Sequence, residues 1–279
     1  MKKVLYIARC WKMVEWLIPT LESVMKYHQP ADVDIIILDS LSTRTDVIKD
    51  YCFRLMQDKH VLGFVESDQN YNYYIWGAIR YLTNSIEQYE YVNMGSADLG
   101  IVNGFDNWLF QLTDILAKYG DVGAVSIEFE RMPPYDKGFQ FIEDAVTSGA
   151  TSFGNFVHMP TDEWFYTVRS AELLDYLYRG GTGPGMFGYC ADMSNRNKYT
   201  GRTNIQFKHY GWLRYTDDYR LQYQEADQNF LDQKVWQPDG SYEPIGAGAP
   251  QAGFPCGVYY VPQENLKFHG LEKYFPAAS

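Results

Sequence analysis

The chain has 279 residues, of which 46% are hydrophobic and 17% aromatic, enough to build a sizeable core and too much for a disordered segment. Its formal net charge of −11 argues against a protein that holds nucleic acid by broad phosphate neutralisation, which needs a basic surface. The four cysteines, Cys10, Cys52, Cys190 and Cys256, lie far apart with no C-x-x-C pair, so neither a zinc knuckle nor a disulfide framework is indicated, and reduced thiols in a cytoplasmic setting are expected.

Short apolar runs alternate with amphipathic stretches, the pattern of a parallel sheet flanked by helices. Met1-Lys2-Lys3 leads into the apolar run Val4 to Ala8, a buried strand too short for the hydrophobic region of a secretory signal. Val14, Leu17, Ile18, Leu21, Val24 and Met25 share one helical face, with Pro19 early enough to kink the helix without ending it and Gln29-Pro30 closing it. Val33 to Asp39 is a second strand that ends in a carboxylate, followed by the polar turn Ser40 to Thr45 and a helix over Asp46 to Leu55. A third strand covers Val61 to Val65, helical spacing resumes from Tyr73 to Leu82, and a fourth strand runs from Tyr91 to Met94. Trp108, Leu109, Leu112, Ile115 and Leu116 mark the next helix, and Val122 to Ile127 is the fifth strand.

After Arg131 the regularity fails, and Met132 to Pro160 reads as a long irregular excursion of the kind that is usually functional or mobile. Order returns with a strand at Trp164 to Val168, a helix at Ala171 to Tyr178, the Gly-rich loop Gly180 to Gly185 and a short helix after Tyr189. A strand at Ile205 to Tyr210 and a helix from Asp217 to Asp232 precede a Gly/Pro-rich tail. No window approaches the roughly 20 apolar residues of a membrane-spanning helix, so any membrane contact would be peripheral. The 24 tyrosines exceed the needs of one core; their flat faces and polar tips suit sugar stacking as well as half-buried strand positions.

The most informative stretch is Tyr91-Val92-Asn93-Met94-Gly95-Ser96-Ala97-Asp98-Leu99-Gly100-Ile101, an apolar strand running into a single carboxylate in a small-residue turn. In open α/β sheets ligands bind outside the carboxyl ends of the strands, and an oxygen ligand among Gly, Ser and Ala leaves room for a hydrated cation and a diphosphate. The plainer alternative is an Asp that caps the helix near Asn107 or closes the turn. Asp39 has the same strand-end position, with an Asx-turn as its alternative. Arg9, just past the first strand, has a guanidinium able to fork onto anionic oxygen, or to remain a solvated surface group.

The order of these pieces resembles the family-2 glycosyltransferases with a GT-A fold over roughly residues 3 to 236. Four segments carry the resemblance. Lys12 to Val24 looks like that family's first helix with its Leu-x-Ser pattern, Leu38-Asp39-Ser40-Leu41-Ser42-Thr43 like its Asp-x-x-Ser turn, Ser96-Ala97-Asp98-Leu99 occupies the place of its Asp-x-Asp metal motif, and Phe187 to Arg196 looks like its late acidic motif. His209 after a strand and Asn229 to Trp236 follow in the family's order. The metal motif carries one acid, since Ser96 stands in the first acidic place, and the late acidic pair is reduced to Asp192.

The resemblance implies an α/β, GT-A fold with a mostly parallel central sheet flanked by helices. It divides the chain into a transferase domain over 1–236, with a nucleotide-binding half to about 128 and an acceptor half beyond it, and a C-terminal extension over 237–279. The implied activity is a metal-dependent, inverting transfer of a sugar from a nucleoside diphosphate sugar, UDP-linked by preference, to a hydroxyl of a carbohydrate or glycoconjugate. Asp98 and His209 would hold Mn²⁺ or Mg²⁺, the imidazole favouring Mn²⁺. Arg9, Asp39, Asn70 and Asp98 would bind the nucleotide sugar. Asp192 would serve as general base, with helix-terminal stabilisation as its alternative and Asp162 and Glu163 as substitutes. Two other readings stay open: a catalytically degenerate relative that binds nucleotide or glycan, and a nucleotidyltransferase, although Ala8-Arg9-Cys10-Trp11-Lys12 lacks the glycine such an enzyme would want.

Overall fold

The computed structural model describes residues 4–10, 14–28, 32–40, 45–68, 72–101, 107–131, 140–159, 165–181, 186–209, 234–236, 242–244 and 261–271. The first apolar run is β1, Val4–Cys10, whose residues feed two cores in turn: Val4, Tyr6, Ala8 and Cys10 join one cluster, Leu5 and Ile7 the other. A strand covered on both faces has no polar side, so it reads as an unbroken apolar run. β2, Val33–Ser40, behaves likewise, with Ile35 and Ile37 on one side and Ile36 and Leu38 on the other.

Between them α1, Val14–Tyr27, passes through Pro19 without ending. The chain continues through α2 (Thr45–Gln57), β3 (Gly63–Ser67), a 3₁₀ helix (Asn72–Leu82), α3 (Thr83–Ile86), β4 (Tyr91–Ser96), β5 (Leu99–Ile101), α4 (Trp108–Lys118) and β6 (Val122–Phe129). Then come α5 (Ile142–Thr147), β7 (Ser152–Phe153), β8 (Phe156–His158), β9 (Phe165–Arg169), α6 (Ser170–Tyr178), α7 (Met186–Asn195) and β10 (Tyr199–His209). Three further strands follow, β11 (Lys234–Trp236), β12 (Tyr242–Pro244) and β13 (Leu266–His269). Side chains of α1, α2 and α4 build the first core, and those of the 3₁₀ helix, α3, α6 and α7 the second. The result is a sheet between two helical layers.

Among the described residues eleven strands form one sheet in the order β13-β3-β2-β1-β4-β9-β6-β10-β8-β7, with β5 paired to β10. β3, β2, β1 and β4 are parallel, as are β6 and β10. β9 enters antiparallel between β4 and β6, and β13 runs antiparallel to β3 at the other edge, so the sheet is parallel around β1 and mixed on both sides of it. The chain builds outward from β1 through β2 to β3, then returns to place β4 on the other side of β1. That reversal makes the carboxyl ends of β1 and β4 a topological switch point, the place where open α/β sheets bind ligands.

Several elements differ from the sequence reading. The Met132 to Pro160 excursion contains α5 and the β7–β8 hairpin, pieces of six, two and three residues that are too short to establish a period. β10 begins at Tyr199, six residues before the expected Ile205, because register shifts against β6 break the alternation between Thr203 and Gln206. The helix expected after Tyr189 starts at Met186. The C-terminal extension is not merely appended: β13 pairs with β3 at the sheet's edge, where Glu66 receives Lys49 at 2.6 Å and lies 3.3 Å from the His269 ring nitrogen. The helix expected over Asp217 to Asp232 lies outside the described residues.

Candidate functional site

The carboxyl ends of β1, β2 and β4 carry Arg9, Asp39 and Ser96, and the turn after β4 carries Asp98. Parallel pairing sets Arg9 beside Ser96 and Cys10 beside Asp39. β5 then runs antiparallel to the end of β10, with Leu99 opposite His209. A residue 111 positions downstream thereby reaches the β4 turn, and the His209 Nε2 lies 2.9 Å from an Asp98 carboxylate oxygen with both side chains buried.

Asp98 does not cap α4. The residue ahead of that helix is Asn107, in the left-handed region at φ 62° with no side-chain cap. The turn is held by three hydrogen bonds from two partners: the Ala97 N–H donates to the Arg9 carbonyl at 2.8 Å, the Thr20 hydroxyl of α1 donates to the Ala97 carbonyl at 2.8 Å, and the Leu99 N–H donates to the same hydroxyl at 3.1 Å. Beneath it lies the buried phenol of Tyr6, whose pKa is pushed up by burial and by the Asp98 charge. Arg9 is buried, not solvated; its guanidinium donates to the Ser96 hydroxyl at 3.2 Å and lies 5.6 Å from the Trp76 ring centre. Ser96, where the resemblance sets an acid, thus partners the arginine beside the turn.

Two protein donors about 3 Å apart suit a shared cation, because neighbouring positions of an octahedron with bonds of about 2.1 Å are separated by about that distance. Among the described residues no group of three or more His, Cys, Asp or Glu gathers to hold a metal, so the described residues offer a cation at this place one carboxylate and one imidazole. Asp39 is fully buried at the end of β2, and its charge, after burial itself, helps push the Cys52 thiol of α2 up.

Asp192 has a different environment. It lies in the second half of α7, where the Arg179 guanidinium grips both carboxylate oxygens at 2.9 and 2.8 Å and Arg196 approaches one of them at 3.5 Å. The Arg179 hydrogen bonds hold its carboxyl below the ordinary range against a smaller opposing push from burial. Asn70, Asp162, Glu163 and residues 182–185 of the Gly-rich loop lie outside the described residues.

A cavity of about 360 Å³ is lined by Phe129, Arg131, Phe141, Glu143, Asn204 and Gln206, among others. Phe129 connects it to the Asp98 turn, since its ring centre is 6.4 Å from that of His209. Glu128, on the same wall, is occupied: it accepts the N–H groups of Phe129 and Ile142 and pairs with Arg202 at 3.3 Å. The sequence reading did not single out Thr20, Trp76 or Phe129. A threonine directly after a mid-helix proline was the one available sign of Thr20; the other two become visible only through pairing in space.

No protein-family model matches this sequence, and no curated protein sequence matches it. Solved structures do match in fold. The mannosyltransferase PcManGT from Pyrobaculum calidifontis, in complex with GDP-Man and Mn²⁺, is 15% identical with a TM-score of 0.51, over 75% of this chain and 59% of that one. Residues 1–349 of S. aureus TarS in complex with UDP-GlcNAc are 12% identical with a TM-score of 0.50, over 74% of this chain and 58% of that one. The same TarS fragment in complex with UDP gives 12% and 0.50, over 74% and 60%. The chain thus spans about three-fifths of the length of the structures it matches. Its architecture is a GT-A-like glycosyltransferase fold, with Asp98 and His209 in contact beside the carboxyl end of β4.

Proposed function

We propose that this protein is a glycosyltransferase that moves a sugar from a nucleoside diphosphate to a hydroxyl acceptor, with a divalent cation at Asp98 and His209. The observation that carries the reading is the buried 2.9 Å contact between those two side chains at the topological switch point of the sheet. The fold likeness to structures holding UDP, UDP-GlcNAc and GDP-Man with Mn²⁺ supports it.

Bound there, Mn²⁺ or Mg²⁺ would neutralise the diphosphate as it leaves. The chain's own part is to hold the cation through one carboxylate and one imidazole and to present the Arg9 guanidinium, steadied by Ser96, beside the phosphates. Asp39 would accept hydrogen bonds from the base or ribose. The cavity next to Phe129, with two amides, an arginine and two carboxylates on its walls, offers an acceptor glycan the mixed donors and acceptors its hydroxyls require.

Direct displacement at the anomeric carbon inverts configuration and needs a base. Asp192 is the sequence candidate, but acting as one requires its carboxylate to leave Arg179, and in the ion pair it is a weakened proton acceptor. That one observation favours a second reading, a nucleotide- or glycan-binding module without transfer. A panel of UDP- and GDP-sugars with Mn²⁺ and mixed glycan acceptors separates the two. Transfer or donor hydrolysis supports the enzyme; thermal stabilisation by nucleotide without turnover supports the module. Neither effect across the panel removes both.

A further inference from the structure

We propose that Thr20 is a positioning residue of this site, setting the Asp98 carboxylate against His209; the inference rests on the reading of Asp98 as the cation-binding carboxylate. A threonine inside a helix usually turns its hydroxyl back onto a carbonyl three or four residues earlier. Thr20 instead reaches out of α1 to the far end of β4, donating to the Ala97 carbonyl at 2.8 Å and accepting from the Leu99 N–H at 3.1 Å. One hydroxyl therefore bonds the backbone on each side of Asp98, using its single proton and one lone pair.

The consequence is geometric. Asp98 sits in a turn between β4 and β5, and its carboxylate direction follows from the peptide planes before and after it. The Ala97 N–H is fixed by β1 and Leu99 is registered against His209 by β10, while Thr20 Oγ1 joins the Ala97 carbonyl to the Leu99 N–H across Asp98. Thr20, Ala97 and Leu99 are all buried, so water has no ready access to replace the hydroxyl. Without it the 2.9 Å spacing of the Asp98 and His209 donor atoms has lost its brace, and that spacing is what suits a shared cation.

The test compares Thr20→Val, which keeps the side-chain shape and removes the hydroxyl, with Thr20→Ser, which keeps the hydroxyl and removes the methyl. In the ligand-free full chain, the ¹⁵N-detected ring signals of His209 report its contact with Asp98. Mn²⁺ affinity in the presence of UDP is then measured by calorimetry, and Tm is recorded for each variant. The expected result is a displaced His209 signal and an Mn²⁺ affinity weakened about 10–100-fold in Thr20→Val, the range seen when a group supporting a metal ligand is lost, with Thr20→Ser within about threefold of wild type. A Thr20→Val protein with the wild-type His209 signal and Mn²⁺ affinity overturns the proposal, even if its Tm falls. If the wild type itself takes up no Mn²⁺, the cation reading fails separately; a His209 signal moved in Thr20→Val still upholds the positioning role, and an unmoved one overturns it. Thr20→Ala, read by the same signal and criteria, replaces Thr20→Val should the latter not fold.

Discussion

Asp39 closes β2 with its side chain fully buried, so a ligand reaches it only if the crevice above β2 opens onto the carboxylate. Hydrogen bonds to a charged group contribute about 1.5–3 kcal/mol, and Asp39→Ala is therefore expected to weaken nucleoside diphosphate binding roughly 10–100-fold while its dependence on the cation persists. Calorimetry with UDP and GDP checks this; unchanged affinity would leave Asp39 with the closing of its turn. His28 makes a different, pH-linked contribution. Its ring packs edge-on against Trp108 and Phe110 at 5.3 and 5.4 Å with no hydrogen-bond partner for either nitrogen among the described residues, and burial lowers its pKa from 6.5 to about 4 against a smaller upward pull from Asp32. Between those values the unfolded chain binds a proton that the folded one refuses. The His28 contribution to stability is therefore full above pH 6.5 and is lost as pH falls toward about 4. Melting curves across this window should slope less in His28→Leu than in wild type; parallel slopes would assign the acid sensitivity to other groups.

At the scale of elements, the parallel strands were legible because burial on both faces writes them as continuous apolar runs, as in Ile35-Ile36-Ile37-Leu38. The β7–β8 hairpin was not, since Ser152-Phe153 and Phe156-Val157-His158 gain their partners only when β10 lies beside them. Gly201 shows how close that approach is: a Cβ there would lie 2.1 Å from the Val157 carbonyl oxygen. Gly201→Ala forces two backbones apart and is expected to destabilise the fold by about 1–3 kcal/mol or more, with faster amide exchange in β8 as the local sign. A wild-type melt and unchanged exchange would show that the hairpin yields freely. The Asp192 motif was legible as sequence, but its partner Arg179 comes from the end of α6, and no local pattern announces that ion pair. Asp192→Asn is expected to keep nucleotide binding and leave turnover within about threefold of wild type, as for the loss of a partly exposed ion pair away from the Asp98 turn. A loss of about 10²–10⁴ in kcat with donor binding intact would instead make it the base.

For the molecule as a whole, the sequence order predicted a GT-A architecture, and the fold bears that out; it did not predict that the C-terminal segment completes the sheet. β13 covers the edge of β3 and Leu271 packs where Gly63 leaves room, with a Gly63 Cβ falling 2.3 Å from the Leu271 side chain. Ending the chain at residue 260 should expose the β3 edge, lower the Tm and promote self-association, all readable by melting and size-exclusion chromatography. The same long-range logic built the site. Asp98 was legible as a strand-end carboxylate and His209 as a histidine after a strand, but their meeting depends on β5 folding back against β10. Thr20 depends on α1 crossing the end of β4.

The most direct measurement is calorimetry of UDP and GDP binding to the wild type and to Asp98→Asn, each with Mn²⁺ and with EDTA. A metal-dependent diphosphate site at Asp98 and His209 predicts nucleotide binding that requires Mn²⁺ in the wild type and loses that requirement, together with most of its affinity, in Asp98→Asn. Equal affinity with Mn²⁺ and with EDTA, or an Asp98→Asn protein that binds as the wild type does, would contradict it.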